Sequence, residues 1–288
     1  MDKTDFEKSL NQKRIIINFD KLGLFNLQKL GRLNYTNAHP PLRHHLHKNA
    51  FEICYLARGR QKYEVNGETY DLKGDDVFLT YPNEVHGSGG NPEEKSVLYW
   101  VIISINEAED FLNSGLYEGK RLIEKLMSLN QRKFQGNECL KIYLDNIISV
   151  YYSDSDFKRL LIRNYITEFI IKIIEYESKS ERFITEKIQA ALKNISDNID
   201  KDINLDYLAH KAELSLSRFK QRFRNELGIP PREYIIRQKV EYAGNLLIET
   251  DRSITDIAYD LGFSSGNYFS TVFKRITGKT PTQFRNCD

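Results

Sequence analysis

Residues 215–228 read SLSRFKQRFRNELG. Phe219, Phe223 and Leu227 recur every four residues, the interval that aligns side chains on one face of an α-helix. Arg218, Lys220, Arg222 and Arg224 fill the remainder, with no acid before Glu226. The spacing predicts a short helix, apolar on one side and almost wholly cationic on the other. Such a face suits a polyanion.

The pattern occurs twice. Phe219, Phe223, Gly228, Pro231 and Tyr234 return as Phe269, Phe273, Gly278, Pro281 and Phe284, displaced by 50. Ahead of them, Ala209, Leu214 and Ser215 return as Ala258, Phe263 and Ser264, displaced by 49, so the second copy holds one extra residue just after its turn. Each copy reads as helix, tight turn, helix. In the first, Leu205, Leu208 and Ala209 face inward, Leu214 plugs the turn and Ser215 caps the next helix. In the second, Ser253 caps the first helix, Gly262 takes a left-handed turn, Phe263 plugs it and Ser264 caps the second helix.

This is the order of a helix-turn-helix, whose second helix enters the major groove of DNA. With the Phe219–Phe223–Leu227 stripe buried, Ser217, Lys220, Gln221 and Arg224 lie outward. No acid occurs between Leu261 and Cys287, while Lys274, Arg275, Lys279 and Arg285 do. Between the copies runs PREYIIRQKVEYAGNLLIET, residues 231–250. An 18-residue helix there would span roughly 27 Å. Two reading helices could then stand about one DNA turn apart, ~34 Å.

INLDYLAHKAELSLSRFKQRFRNELG and SITDIAYDLGFSSGNYFSTVFKRITGKTPTQFR resemble the DNA-binding domain of AraC-type transcriptional regulators. The resemblance implies base contacts by Ser217, Lys220 and Gln221 in one helix, and by Gly266, Asn267, Ser270 and Thr271 in the other. Gly266, lacking a side chain, can only permit close approach. Arg218, Arg222, Lys274 and Arg275 are the expected phosphate contacts. The expected partners are double-stranded promoter DNA and, for an activator, RNA polymerase.

The rest of the chain has two textures. Over residues 12–105, short runs rich in Ile, Val, Tyr and Phe are cut by turn signals such as VNGET, LKGDD and GSGGNP, which predicts a β-sandwich or small barrel. Asn66-Gly67 is a strong hairpin signal. Over residues 106–178 the apolar interval becomes helical, in KRLIEKLMSL, CLKIYLDNIISVYY and FKRLLIRNYITEFIIKIIEY. The last is apolar on more than one face, which is met either by packing on the β domain or by a homodimer. ESKSER, residues 177–182, reads as a linker before a helical domain at 183–288. The fold class expected is α+β: a cupin-like β domain, a helical dimerisation segment and an all-α double helix-turn-helix domain.

RHHLHKNAFEICYLARG and GDDVFLTYPNEVH place His45, His47, Glu52 and Gly59 ahead of Pro82 and His86. On a strand, His45 and His47 share a face with Arg43 beside them, and His44 points the other way to the surface. The pattern resembles the two cupin motifs, the second more loosely, since Glu84 stands where many cupins carry glycine. Three imidazoles and a carboxylate could bind a first-row transition metal, line a polar small-molecule pocket without one, or form a structural cluster. The resemblance to AraC-type regulators favours the pocket, with no cofactor. Arg43, His45, His47, Glu52 and His86 offer donors and acceptors for hydroxyl groups and Trp100 a stacking face, so the effector class expected is a sugar or sugar derivative.

The totals set few limits. A net charge of +2 over 288 residues neither requires nor excludes nucleic acid. Cys54, Cys139 and Cys287 fit no ligand spacing and read as reduced thiols. MDKTDFEKSLNQKR has no apolar signal core, and no apolar run approaches the ~20 residues of a membrane helix. A cytoplasmic regulator, not an enzyme, is the expectation. The rival is a metal-dependent cupin enzyme carrying a DNA-binding appendage.

Overall fold

Ala50–Val65 forms one long strand, β3, on which the N-terminal half is organised. This computed structural model describes residues 14–24, 26–105, 111–112, 114–178 and 184–286. The N-terminal run before residue 14, the helical texture at 106–110, most of the ESKSER linker (179–182) and Cys287 lie outside the described residues. The other strands are β1 (Arg14–Asn18), β2 (Leu27–Tyr35), β4 (Glu68–Lys73), β5 (Asp76–Thr80), β6 (His86–Gly87), β7 (Ser96–Ser104) and β8 (Lys133–Gln135).

The main path runs β1-β2-β7-β3-β5-β8, while β4 and β6 pair with the far half of β3. These pairings are antiparallel. The β3–β7 register shifts between Leu56 and Arg58, and the far half of β3 passes from β5 to β4 beyond that bulge. Leu33, Cys54, Leu56, Phe78 and Leu98 meet Tyr63, Val65 and Leu72 in an inner core, giving the sandwich. The Asn66-Gly67 hairpin closes as expected, with both residues at positive φ between paired Val65 and Glu68.

Three helices cover the other face of the main sheet: α1 (Leu116–Met127), α2 (Cys139–Tyr152) and α3 (Lys158–Glu177). Leu144, Ile147 and Ile148 of α2 and Ile166, Phe169 and Ile170 of α3 are buried in one cluster with Ile53, Tyr55, Tyr99 and Val101 of the sheet. Each side chain so buried contributes about 1.5–3 kcal/mol. Packing on the β domain therefore accounts for the apolar stripe of α3. Ile142, Leu160 and Ile171 remain exposed.

Two details differ from the sequence reading. Lys133–Gln135 lies within the stretch read as helical, yet pairs with β5 as β8, burying Phe134. Three residues are too few to show alternation. Glu177, read as the start of a linker, is the last residue of α3 and is buried, its Oε1 accepting from the backbone N–H groups of Asn130 and Gln131 at 2.9 and 3.0 Å.

The C-terminal half is helical: α4 (Glu186–Asp197), α5 (Leu205–Lys211), α6 (Leu216–Leu227), α7 (Pro231–Glu249), α8 (Ile254–Asp260), α9 (Gly266–Thr277) and α10 (Pro281–Arg285). It has two cores, one per copy of the repeat. Ile188, Leu208, Phe219 and Phe223 build the first, and Ile257, Leu261, Phe269 and Phe273 the second. The long helix α7 serves both, giving Ile235 to the first and Val240, Ala243 and Leu247 to the second. Its 19 residues span roughly 28 Å.

The chain separates into two compact units. One comprises Met1–Tyr35, Pro41–Asn91 and Ser96–Arg182; the other comprises Thr36–Pro40, Pro92–Lys95 and Phe183–Asp288. Among the described residues no helix is long and apolar enough to cross a membrane.

Candidate functional site

In the helical unit the two copies are built alike. Asn204 and Ser253 cap α5 and α8. The N–H of Leu214 reaches the carbonyl of Ala209 at 3.0 Å, and that of Phe263 reaches Ala258 at 2.9 Å, closing the same turn twice. Ser215 Oγ then accepts from the N–H of Arg218 to start α6. In the second copy the cap is Ser265, accepting from Tyr268 at 3.1 Å, and not Ser264 as expected. The extra residue is thus Ser264 itself, between plug and cap. From the caps onward every equivalence is 50 residues.

That register pairs Ser217 with Asn267, Lys220 with Ser270 and Gln221 with Thr271. Ser217, Lys220, Gln221, Asn267 and Thr271 are exposed and Ser270 is half-buried, all away from the Phe219–Phe223 and Phe269–Phe273 stripes. Thr271 Oγ1 donates to the carbonyl of Asn267 at 2.9 Å, so its hydroxyl proton is engaged within α9. Gly266 begins α9 where an added Cβ would stand 3.3 Å from Thr255 Oγ1, so its smallness serves the contact between α9 and α8.

Of the expected phosphate contacts, Arg218 and Lys274 are exposed and Arg275 half-buried. Arg222 is half-buried, and its Nε donates to Glu226 at 2.8 Å. Glu226 in turn accepts from the backbone N–H and hydroxyl of Thr185, which commits Arg222 to a structural network. Arg224, left out of the phosphate set, is exposed at the position equivalent to Lys274. The repeat itself was the signal that could have included it.

The β unit gathers a second site. His45, His47, Glu52 and His86 bring one ligand atom each to within 4.8 Å of one another. Glu52 Oε2 lies 2.7 Å from His86 Nε2, 3.2 Å from His47 Nε2 and 4.0 Å from His45 Nε2. His45 and His47 sit on extended chain joined to β6 by one His45–His86 bridge, not on the continuous strand expected. His86 is closed off at 1 % side-chain exposure, whereas His45 and His47 retain 36 % and 21 %, so the cluster opens on their side.

Burial alone would raise the pKa of Glu52, but its bonds to His47 and His86 outweigh that and hold it at about 2. Burial likewise opposes the imidazolium of His86, and the bond to Glu52 outweighs it, so its pKa rises. Burial lowers that of His45, with the charges of His86 and His47 adding to the effect.

Trp100 pairs with Cys54 across β3 and β7, two residues along from Glu52, and so faces the same side of the sheet. Its ring lies over Gly31 on β2, where a Cβ would come within 1.9 Å of the indole. Arg43 is exposed and is not drawn into the cluster by its side chain; its carbonyl instead meets His45 Nδ1 at 2.9 Å. His44 is at the surface as expected, bonded to Glu64 at 3.0 Å.

A twofold helix-turn-helix with cationic outer faces, following a β-sandwich in the chain, is the architecture of a DNA-binding transcriptional regulator. Residues 33–169 match the family described as the AraC-like ligand binding domain, and residues 208–286 a helix-turn-helix domain family. The arabinose operon regulatory protein of Escherichia coli K12 is 25 % identical over 91 % of this chain and 88 % of its own. The thermoregulatory protein LcrF of Yersinia pestis is 27 % identical over 81 % of this chain and 88 % of its own. Among solved structures, ToxT from Vibrio cholerae matches 90 % of this chain and 98 % of its own at 17 % identity, with a TM-score of 0.34. The chain belongs to the AraC family of transcriptional regulators.

Proposed function

We propose that this regulator answers to a small polyhydroxylated molecule, a sugar or sugar derivative, held in the β unit by His45, His47, Glu52 and His86 with Trp100 as a stacking face. The convergence of three imidazoles on one carboxylate, with an indole on the same face of the sheet, carries the reading. Such a set offers donors and acceptors to hydroxyl groups and a flat apolar surface to a sugar ring. The relatives include both an arabinose operon regulator and a virulence activator, so family membership alone does not select the ligand.

On DNA, Ser217, Lys220 and Gln221 of α6 and Asn267, Ser270 and Thr271 of α9 would read base edges in successive major grooves. Arg218, Arg224, Lys274 and Arg275 would neutralise phosphates. Two copies of the chain would act together, with Ile142, Leu160 and Ile171 the apolar surface left for a partner. The chain would act by binding and not by catalysis.

The test is operator selection from random DNA, followed by affinity measurements at fixed salt with and without a panel of sugars. Replacing His47 or Glu52 by Ala should abolish the change in affinity a sugar produces while leaving ligand-free DNA binding intact. A sugar response unaltered in both variants would remove the pocket reading.

A further inference from the structure

We infer that Lys239 is a positioning residue for DNA recognition: it fixes the spacing between α6 and α9, and with it the length of operator between the two tracts they read. The inference rests on the reading of α6 and α9 as the helices that meet base edges.

Lys239 stands where α7 changes from one core to the other. Ile235, one turn before it, packs in the first core, and Val240, next to it, packs in the second. Its ammonium donates to the carbonyl of Lys201, in the loop between α4 and α5, at 2.9 Å. It also donates to the carbonyl of Leu261, at the end of α8, at 2.7 Å. One side chain thus grips the first copy just ahead of its first helix and the second copy at its turn. The backbone of that turn passes close by, since a Cβ on Gly262 would stand 3.4 Å from Nζ. Asp202 and Asp200, on either side of Lys201, add their attraction to the hold of the first loop on the ammonium.

The two kinds of contact do different work. Apolar packing is non-directional, and by itself it lets a helix-turn-helix shift a little along α7. Hydrogen bonds fix distance and direction, and at 8 % exposure Lys239 makes both of its own largely out of water. From Lys201 the chain runs through α5 to α6, and from Leu261 through Gly262 and Phe263 to α9. A tie between those two points therefore sets the distance from one reading helix to the other. One base pair added to the operator moves the far groove about 3.4 Å along the duplex and about 35° around it. A tied pair of helices cannot follow that displacement, whereas an untied pair can shift toward it.

The test uses the full chain and its selected operator, with one base pair added or removed between the two protected tracts. The parent should bind the altered operators at least about tenfold more weakly. Lys239→Met keeps the apolar stem and loses both bonds, and should narrow that difference to about threefold or less. Leu247→Ala, which thins the second core without touching the tie, should keep the parent's difference. The readout is a ratio measured on one protein, so a smaller folded fraction lowers both affinities alike and leaves it unaltered. Lys239→Gln, shorter and uncharged, is measured alongside and should narrow the difference in the same way should Lys239→Met not fold.

An undiminished difference in the Lys239 variants would overturn the inference and leave the two-groove reading in place. Equal narrowing in Leu247→Ala would also overturn it, since any loosening of the second core would then suffice. A parent indifferent to spacing would remove the two-groove reading, and the inference with it.

Discussion

Glu213 and Gly262 hold the same left-handed backbone conformation at the same point of the two turns, with φ of 54° and 72°. The turn of each helix-turn-helix needs that conformation, and only the second copy supplies a glycine for it. A side chain there costs about 1–2 kcal/mol. Gly262→Ala should lower unfolding free energy by about 1 kcal/mol, also bringing a Cβ to 3.4 Å from Lys239 Nζ. Glu213→Gly should shift the urea midpoint the other way, less the loss of the exposed Lys187 pair.

Lys239 ties the two copies together from the middle of α7. Its buried ammonium donates to the carbonyl of Lys201, just before α5, at 2.9 Å and to that of Leu261, at the end of α8, at 2.7 Å. Lys239→Met should cost about 1–3 kcal/mol by leaving two carbonyls short of a donor.

Burial lowers the pKa of Lys239, with Asp202 and Asp200 opposing. Below its folded pKa both states carry the proton. Between that value and the ordinary one near 10.5 the unfolded chain binds more protons, so stability rises with pH. The advantage of the parent over Lys239→Met in urea melts should therefore grow between pH 7 and pH 10.5; a shrinking advantage would contradict this assignment.

Side chains on the outer faces of α6 and α9 should divide into two kinds. Gln221→Ala should cost about 1–3 kcal/mol on the selected operator and relax preference at one or two positions. Arg218→Ala and Arg224→Ala should weaken all sequences alike and lower the salt slope by about 1 each. Arg222→Ala, because its guanidinium is bonded to Glu226, should lower the thermal midpoint more than it lowers the salt slope. Competition binding at several salt concentrations separates the two kinds, and thermal melts set Arg222 apart from both.

Trp100 is the sole tryptophan, so its fluorescence reports on the β unit alone. Gly31→Ala must displace the ring that lies over it. The variant should shift the emission maximum and blunt the fluorescence change that an effector produces. An unaltered spectrum would place the indole elsewhere.

The helical unit was legible because its signals are local. The four-residue spacing of Phe219, Phe223 and Leu227 and its return at Phe269 and Phe273 fix helix, face and repeat together. The position of the extra residue was not legible, since Ser264 and Ser265 are both good caps and only the backbone selects between them. In the β unit, His45, His47, Glu52 and His86 were readable as a set. The withdrawal of Arg43 was not, because chain that bridges at a single residue does not hold the alternation of a strand. Lys239 left no signal, for a lysine in a polar-looking helix reads the same whether its ammonium meets water or two carbonyls.

The account depends most on α6 and α9 reading one duplex together. The direct measurement is the affinity of the chain for its selected operator before and after five base pairs are inserted between the two tracts it protects, half a turn of the duplex. Two helices fixed on α7 predict tracts about 10 base pairs apart centre to centre, and a loss of affinity of ~30-fold or more on insertion, since one contact set of ~2–3 kcal/mol is forfeited. Equal affinity for both operators would mean that the two helices do not engage DNA as a unit, and would contradict the account.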